Sequence, residues 1–508
     1  MSPNLYRWRS CRRRSVLWGF VVLAAGMLQA VVPVPDVVAA AKSGDEATLS
    51  SLLQNHANVK SAEPDGTTAL HWAVRAGNMS MAQLLLRAGA DANAMNRYGI
   101  TPLSLAASAG NAPMIGILLK AGADVKKADA ALPDGEKLLM LAARTDGVEA
   151  VQALANAGLD VNATEPRTGT TALMWAALQN QPFVIKALLK SGAAVNARSL
   201  LPNFPHTPPA VVGDKLEEGM SYIGQSALPK GGWTALMYAA REGSLEAGKM
   251  LADSGADLNV TDPDGTSALE YAILNGHYDV GKMLLVRGAD PNLADRAGMT
   301  PLYAAVDMHT LGSTFGRPDI TREVAEGSVD MVRSLLEHKA DPNARLKTRV
   351  LKRQFNGGDA RLGEGSTAFL RAAKGGDAQL MRILIEGGAD PTLNQNNKRG
   401  PIMLAVGVPA QRKDNALFAN DASVMDAIRI CLDHGVDINA VNDAGETAVY
   451  AAIGTPALIR FLADHGAKLD VKNNKGQTPL EAAMKATEPN EPSIAVLREL
   501  TNLTAQAR

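Results

Sequence analysis

The chain is short of the residues that most simply announce chemistry. Its 508 residues include two cysteines, Cys11 and Cys431. Cys11 lies before an apolar N-terminal run, so no disulfide can form within the chain beyond that run. Cys431, in "AIRICLDHG", sits on an apolar helix stripe and reads as a buried structural thiol. Aromatic residues make up 4 % of the chain, which disfavours a β-sandwich and weakens the case for a sugar- or base-stacking surface. Neither sign of charge dominates, with 51 basic and 52 acidic residues, so nothing marks a general nucleic-acid binder. The HExxH, paired CxxC, GxSxG, Walker and dinucleotide-glycine motifs are missing. Of the histidines only His206 and His309 fall where the chain's regularity breaks, with no placed carboxylate or thiol to complete a metal site. Neither a metal nor a cofactor is expected.

What is present begins at the N-terminus. "RWRSCRRR" precedes "SVLWGFVVLAAGMLQAVV", and no acidic residue occurs through position 30. A basic segment, an apolar run from Val16 to Leu28 and a small Ala30 describe a secretory signal peptide over residues 1–30. Leu28 is a poor cleavage-site residue and the apolar stretch continues to Val34, so an uncleaved anchor over residues 16–34 is the alternative. Either form predicts export to a periplasm or the extracellular space. The basic segment carries five arginines, and the remainder of the chain is net acidic.

From residue 36 onward the chain repeats itself. Gly66 to Gly99, Gly232 to Gly265 and Gly265 to Gly298 each span 33 residues. "TALHWA", "TPLSLAA", "TALMWAA", "TALMYAA", "TPLYAA" and "TPLEAA" come after such turn glycines, and "GADAN", "GLDVN", "GADLN", "GADPN" and "GVDIN" close the units. Thr68, Thr101, Thr171, Thr234, Thr300, Thr447 and Thr478 stand where a hydroxyl can accept from the first N–H groups of a helix. Pro102, Pro301 and Pro479 come next as first helical residues, where a missing N–H does no harm. Gly77, Gly110, Gly243 and Gly276 end that helix, Gly89 and Gly288 the next. Each unit is a helix pair whose apolar faces are buried only by stacking.

Together these motifs resemble the ankyrin-repeat family over residues 36–503. The resemblance implies an all-α solenoid of about 12 helix-pair repeats with β-turn or hairpin fingers. It further implies that fingers and first helices form a concave binding surface. The expected layout is a capping pair at 36–64, repeats at 65–196, 232–343 and 365–474, and a capping repeat at 475–508. Two fingers are lengthened, a Pro-rich one at 197–231 and a basic one at 344–364. Further insertions separate the two helices of one unit at 307–326 and 408–421. Two degenerate units, "EKLLMLAAR" and "GPIMLAVGVPA", lack the capping threonine and are expected to be locally weaker.

Both long fingers leave the same side, three repeats or roughly 30 Å apart, and would wall a trough. On the basic finger Arg345, Lys347, Arg349, Lys352, Arg353 and Arg361 stand against Asp359. Long loops on a rigid scaffold usually carry binding roles, although solvated decoration is the simpler account. By resemblance, partner contacts are expected at Trp233, Arg241, Glu242, Thr266, Leu274, Asn275, Met299, Asp307 and Met308, with Arg349, Lys352 and Arg353 on the finger. Trp233 serves either as an exposed anchor or as a plug beneath the Pro-rich finger. The chain is similar to exported bacterial ankyrin proteins with long fingers and a "GGWTALMYAA"-like unit. A non-enzymatic scaffold for an acidic or mixed-charge protein segment is therefore expected, with no nucleic acid involved. A small-ligand or cell-envelope polysaccharide receptor is the alternative, followed by a hydrolase built from the insertions.

Overall fold

The computed structural model describes residues 36–200, 231–310, 322–348, 362–407 and 420–506. The signal segment, most of both long fingers, and residues 311–321 and 408–419 lie outside that description, as do Arg349, Lys352 and Arg353.

Every described unit is an antiparallel helix pair. The first pair is α1 (Val37–Ser43) and α2 (Glu46–Gln54), followed by α3 (Ala69–Arg75) with α4 (Met79–Arg87) and α5 (Pro102–Ser108) with α6 (Ala112–Lys120). A short α7 (Val125–Ala130) precedes α8 (Leu138–Ala143), α9 (Val148–Asn156), α10 (Ala172–Leu178) and α11 (Pro182–Lys190). Next come α12 (Ala235–Glu242), α13 (Leu245–Asp253), α14 (Ala268–Leu274), α15 (Tyr278–Val286), α16 (Pro301–Thr310) and α17 (Arg322–Glu337). The last are α18 (Ala368–Gly375), α19 (Ala378–Glu386), α20 (Pro401–Val406), α21 (Asp421–Asp433), α22 (Ala448–Ala451), α23 (Pro456–Asp464), α24 (Pro479–Met484) and α25 (Glu491–Gln506).

First helices touch first helices, from α3 and α5 through α22 and α24, and second helices form the opposite row. The main apolar core runs between the rows from Val37 to Leu497, with a small second cluster of Leu362, Leu370 and Leu404. Ala106, Ala107, Ala176, Ala177, Ala239 and Ala240 are fully buried, and their small size lets the first helices approach closely.

The local chemistry agrees with the sequence. The Oγ1 of Thr101, Thr171, Thr234 and Thr300 accepts from the backbone N–H three residues on. Gly243 (φ 73°) and Gly276 (φ 75°) close their first helices in the left-handed conformation. The two degenerate units lack this chemistry: Lys137 and Gly400 offer α8 and α20 no side-chain cap. Asp129 of α7 substitutes at the first of these, accepting from Leu138 N at 2.7 Å.

Two hydrogen-bonded rails tie the units together. On one edge, successive turns bond backbone to backbone: Arg97 N to Asp65 O (2.8 Å), Arg296 N to Asp264 O (2.7 Å) and Asn474 N to Ala444 O (2.9 Å). The roots of both long fingers join this same rail, through Leu200 N to Thr168 O (2.7 Å) and Lys347 N to Ala297 O (2.8 Å). The roots are built alike, with Arg198 donating to Thr261 O and Arg345 to Asn394 O, each in the following turn.

On the other edge, the asparagine that ends "GADxN" brackets the next unit. Asn93 donates to Gly122 O at 2.9 Å and accepts from Asp124 N at 2.7 Å. Asn162, Asn292, Asn343 and Asn439 make both bonds to their own neighbours. Lys60, Lys126 and Thr392 occupy the same position without an amide, and no such bracket forms there among the described residues. Lys126 and Thr392 precede the two degenerate units, so weak capping and a missing bracket coincide.

Some boundaries differ from expectation. The insertion placed at 307–326 is partly helix, because α16 runs on to Thr310 and α17 already starts at Arg322. His309 stands where Gly243 and Gly276 turn the chain, and without that glycine the helix continues. "TEPNEP" falls at the junction between α24 and α25 and runs into the start of α25. Of the insertion expected at 408–421, residues 408–419 lie outside the description, and Asp421 is already the first residue of α21. The turns carry isolated bridges, Ala62 with Thr68 and Thr261 with Ser267, and no strand occurs among the described residues.

Candidate functional site

The fifth residue of each first-helix motif lies one turn past the cap and faces outward from the first-helix row. In four units it is aromatic: Trp72, Trp175, Tyr238 and Tyr271, each half-buried. Trp233, at the root of the Pro-rich finger, joins the last two with ring centroids 5.3 Å from Tyr238 and 5.1 Å from Tyr271, both edge-on. Trp72, Trp175 and Trp233 are thus the tryptophans of the described residues, and all three lie on this row.

Cations stand over these rings. The Arg144 guanidinium sits 3.8 Å from the Trp175 centroid, Arg241 lies 5.2 Å from Trp233, and Lys42 and Arg75 lie 4.6 and 5.5 Å from Trp72. Arg75, Arg144 and Arg241 share one position, seven residues after the cap, which places each one turn beyond the aromatic position. Carboxylates hold the rings from below: Tyr271 donates to Asp262 (2.6 Å) and the Trp72 indole to Glu63 (3.1 Å). The Tyr238 hydroxyl is pushed above its ordinary pKa by burial. The signal for this row lies in the motifs "TALHWA", "TALMWAA" and "TALMYAA", beside which Trp233, Arg241 and Glu242 are expected contacts while the ring positions themselves are not.

The expected contact residues divide. Arg241, Glu242 and Asn275 are exposed, and Trp233 and Leu274 are half-buried at the same surface. Trp233 is therefore neither freely exposed nor fully plugged, and its indole N–H is buried without a partner. Thr266, Met299, Asp307 and Met308 are at most 5 % exposed and are withdrawn as contact residues. Thr266 and Met299 lie inside turns closed by Asp262 and Asp295, whose carboxylates accept their N–H groups at 2.8 and 2.9 Å. Asp307 and Met308 belong to the continued turn of α16, which is buried along its whole length.

That continued turn carries a buried polar cluster. Arg371 of α18 donates through Nε to Asp307 at 2.6 Å, with both side chains under 8 % exposed. His309 Nδ1 lies 2.5 Å from Asp377, which also caps α19 through Leu380 N at 2.9 Å. The carboxylate missing beside His309 in the sequence is therefore supplied by Asp377, 68 residues on. Burial, with the Asp307 carboxylate adding to it, drives the Tyr303 phenol far above its ordinary range. Sealed between two units, this cluster reads as a structural joint.

Four other histidines of the described residues also have structural duties. His71 receives Thr68 N at 3.1 Å on Nδ1 and gives Nε2 to Ile100 O at 3.0 Å, and burial lowers its pKa. His338, His434 and His465 each direct Nδ1 to the carbonyl four residues back, closing their helices. The Cys431 thiol is buried and pushed up to about 12. Among the described residues no group of three or more His, Cys, Asp or Glu could hold a metal, and no helix is long and apolar enough to cross a membrane.

Comparison with known proteins matches these features to one family. A model of ankyrin repeats in three copies covers residues 37–129, 126–199 and 222–295, a single ankyrin repeat covers 297–347, and a many-copy ankyrin model covers 417–455. Together they span more than half of the chain, which belongs to the ankyrin-repeat family. Among solved structures it is similar to the crystal structure of the human ASB11 ankyrin repeat domain, at 22 % identity and a TM-score of 0.38, over 53 % of this chain and 98 % of that one. No curated protein matches the chain. Ankyrin repeats are in general protein-binding modules without catalytic activity of their own.

Proposed function

We propose that this chain is an exported, non-enzymatic scaffold that holds a protein partner along its first-helix face, from Trp72 to Tyr271. The observation that carries this reading is the row of half-buried aromatic rings with guanidinium and ammonium groups over them. Aromatic and arginine side chains at the centre of a face are the usual anchors of protein recognition. The same feature weighs against a polysaccharide receptor, because an arginine 3.8 Å above Trp175 occupies the platform a sugar ring would need. The basic finger root, with Arg345 and Lys347, would speed capture of an acidic or mixed-charge segment. Export rests on the basic and apolar N-terminal pattern alone.

A photo-crosslinking amino acid at Asn275, exposed on the first-helix face, tests the proposal against one at Glu149, exposed on α9 of the opposite row. The reading expects one protein trapped from envelope extract at Asn275 and lost on Trp175→Ala with the fold retained. Equal trapping from both rows, or trapping indifferent to Trp175→Ala, would overturn it.

A further inference from the structure

We infer that a cavity between α20, α22 and α24 binds a free apolar α-amino acid, at a site separate from the aromatic row. The cavity exists because α22 is cut short. Gly454 (φ 113°) and Pro456 stop it after four residues, where the first helix of a regular unit such as α14 has seven. The missing turn leaves a space of about 230 Å³, with Met403, Ile453 and Ala482 among its walls. That is smaller than the ~300–1,000 Å³ of sites for drug-sized ligands, which leaves out nucleotides and oligosaccharides.

Five polar residues, Arg399, Asn442, Glu446, Thr447 and Tyr450, line the same space, and the Tyr450 hydroxyl is already given to Val471 O and Gln477 O. Arg399 is half-buried, and its guanidinium makes no hydrogen bond or ion pair among the described residues. Glu446, also half-buried, receives only a long bond of 3.4 Å from the Asn442 amide on its carboxylate. These opposite charges do not pair with each other, although Lys398 and Asp443 on the neighbouring turns do so at 3.4 Å. Thr447 is 2 % exposed, and its Oγ1 has no partner, unlike the capping hydroxyls of Thr171 and Thr234. The Thr447 oxygen is sealed from the space, so the two separated charges of opposite sign are what a ligand could complement.

The complement is a small zwitterion with an apolar substituent. Its carboxylate meets Arg399, its ammonium meets Glu446, and a side chain of leucine or methionine size rests on Met403, Ile453 and Ala482. A peptide terminus fits less well, since it carries only one of the two charges at the residue that enters.

Isothermal titration of the purified full chain with L-leucine and L-methionine, against N-acetyl-L-leucine and L-leucinamide, is the test. The free amino acids should bind saturably, and each blocked form should bind at least about tenfold more weakly. Arg399→Met and Glu446→Gln, both at half-exposed positions, should each weaken leucine by a similar factor with an unchanged circular dichroism spectrum. No saturable heat with either amino acid would overturn the inference, as would blocked forms or both variants binding as tightly as the parents. Ile453→Trp fills the space without touching a charge, and leucine binding that survives it also places the ligand elsewhere.

Discussion

Two first helices depart from the regular length in opposite directions, and each departure changes what the unit does. α16 has ten residues, α14 seven and α22 four. In α16 the turn glycine is replaced by His309, the helix runs on, and the extra turn is spent on buried pairs to Arg371 and Asp377. In α22 a glycine and a proline arrive early, and beside the shortened helix lies a void lined by Arg399 and Glu446, whose charges do not pair with each other. One helix terminus, moved by about a turn either way, thus yields either a joint or a cavity.

The largest effect should come from breaking the joint. Arg371→Met leaves Asp307 in a site that is 5 % exposed, and should cost about 3–5 kcal/mol in urea unfolding. Arg241→Met, on the exposed face of α12, is the control and should stay within about 0.5 kcal/mol. Equal losses for the two would remove the special status of α16.

The brackets come next. Asn343→Ala removes two inter-unit bonds, to Gly388 O and from Asp390 N, and should cost about 1–2 kcal/mol. Thr392→Asn, which offers an amide where none is present, should stabilise the junction by a smaller amount, read as slower amide exchange in α20 and α21.

At the short helix, Thr234→Ala should cost about 1 kcal/mol through the lost bond to Met237 N. Thr447→Ala removes a hydroxyl that has no partner and should be close to neutral, which the same urea titration checks. A matching loss at Thr447 would show its hydroxyl already engaged.

The smallest effect is electrostatic. The native imidazole of His71 has a pKa below its ordinary value, chiefly because it is buried, so the unfolded chain takes up the proton first. Its contribution is intact above pH ~6.5 and declines as the pH falls below that. His71→Gln should flatten this part of the stability-against-pH curve between pH 7 and 5.

Much of the fold was legible because its determinants are local. A threonine three residues before the N–H it caps, or a glycine at positive φ nine residues after that cap, is specified within a single unit. The brackets were visible as a motif, but their purpose depends on a partner 27 to 49 residues away. The burial of Thr266, Met299, Asp307 and Met308 was illegible for a related reason, since it depends on what the stacked turns and helices lay over them. The extra turn of α16 did have a local signal, because "DMHT" places no breaker where its neighbours have glycine. The aromatic row was readable in full, yet a low overall aromatic content concealed how those few rings are concentrated.

The asparagine brackets have a mechanical consequence. A stack secured along both edges resists bending much as a ladder with two stiles does, and at Lys126 and Thr392 one stile is interrupted. Beyond the interruption at Lys60, which sets off only the first pair, flexing should gather at those two positions and divide the rest of the stack into three stiffer blocks. Trp175, Trp233, Tyr238 and Tyr271 then ride together on the middle block, while the void beside α22 belongs to the last. Strain applied at one of these two places would be absorbed at a compliant seam before it reached the other.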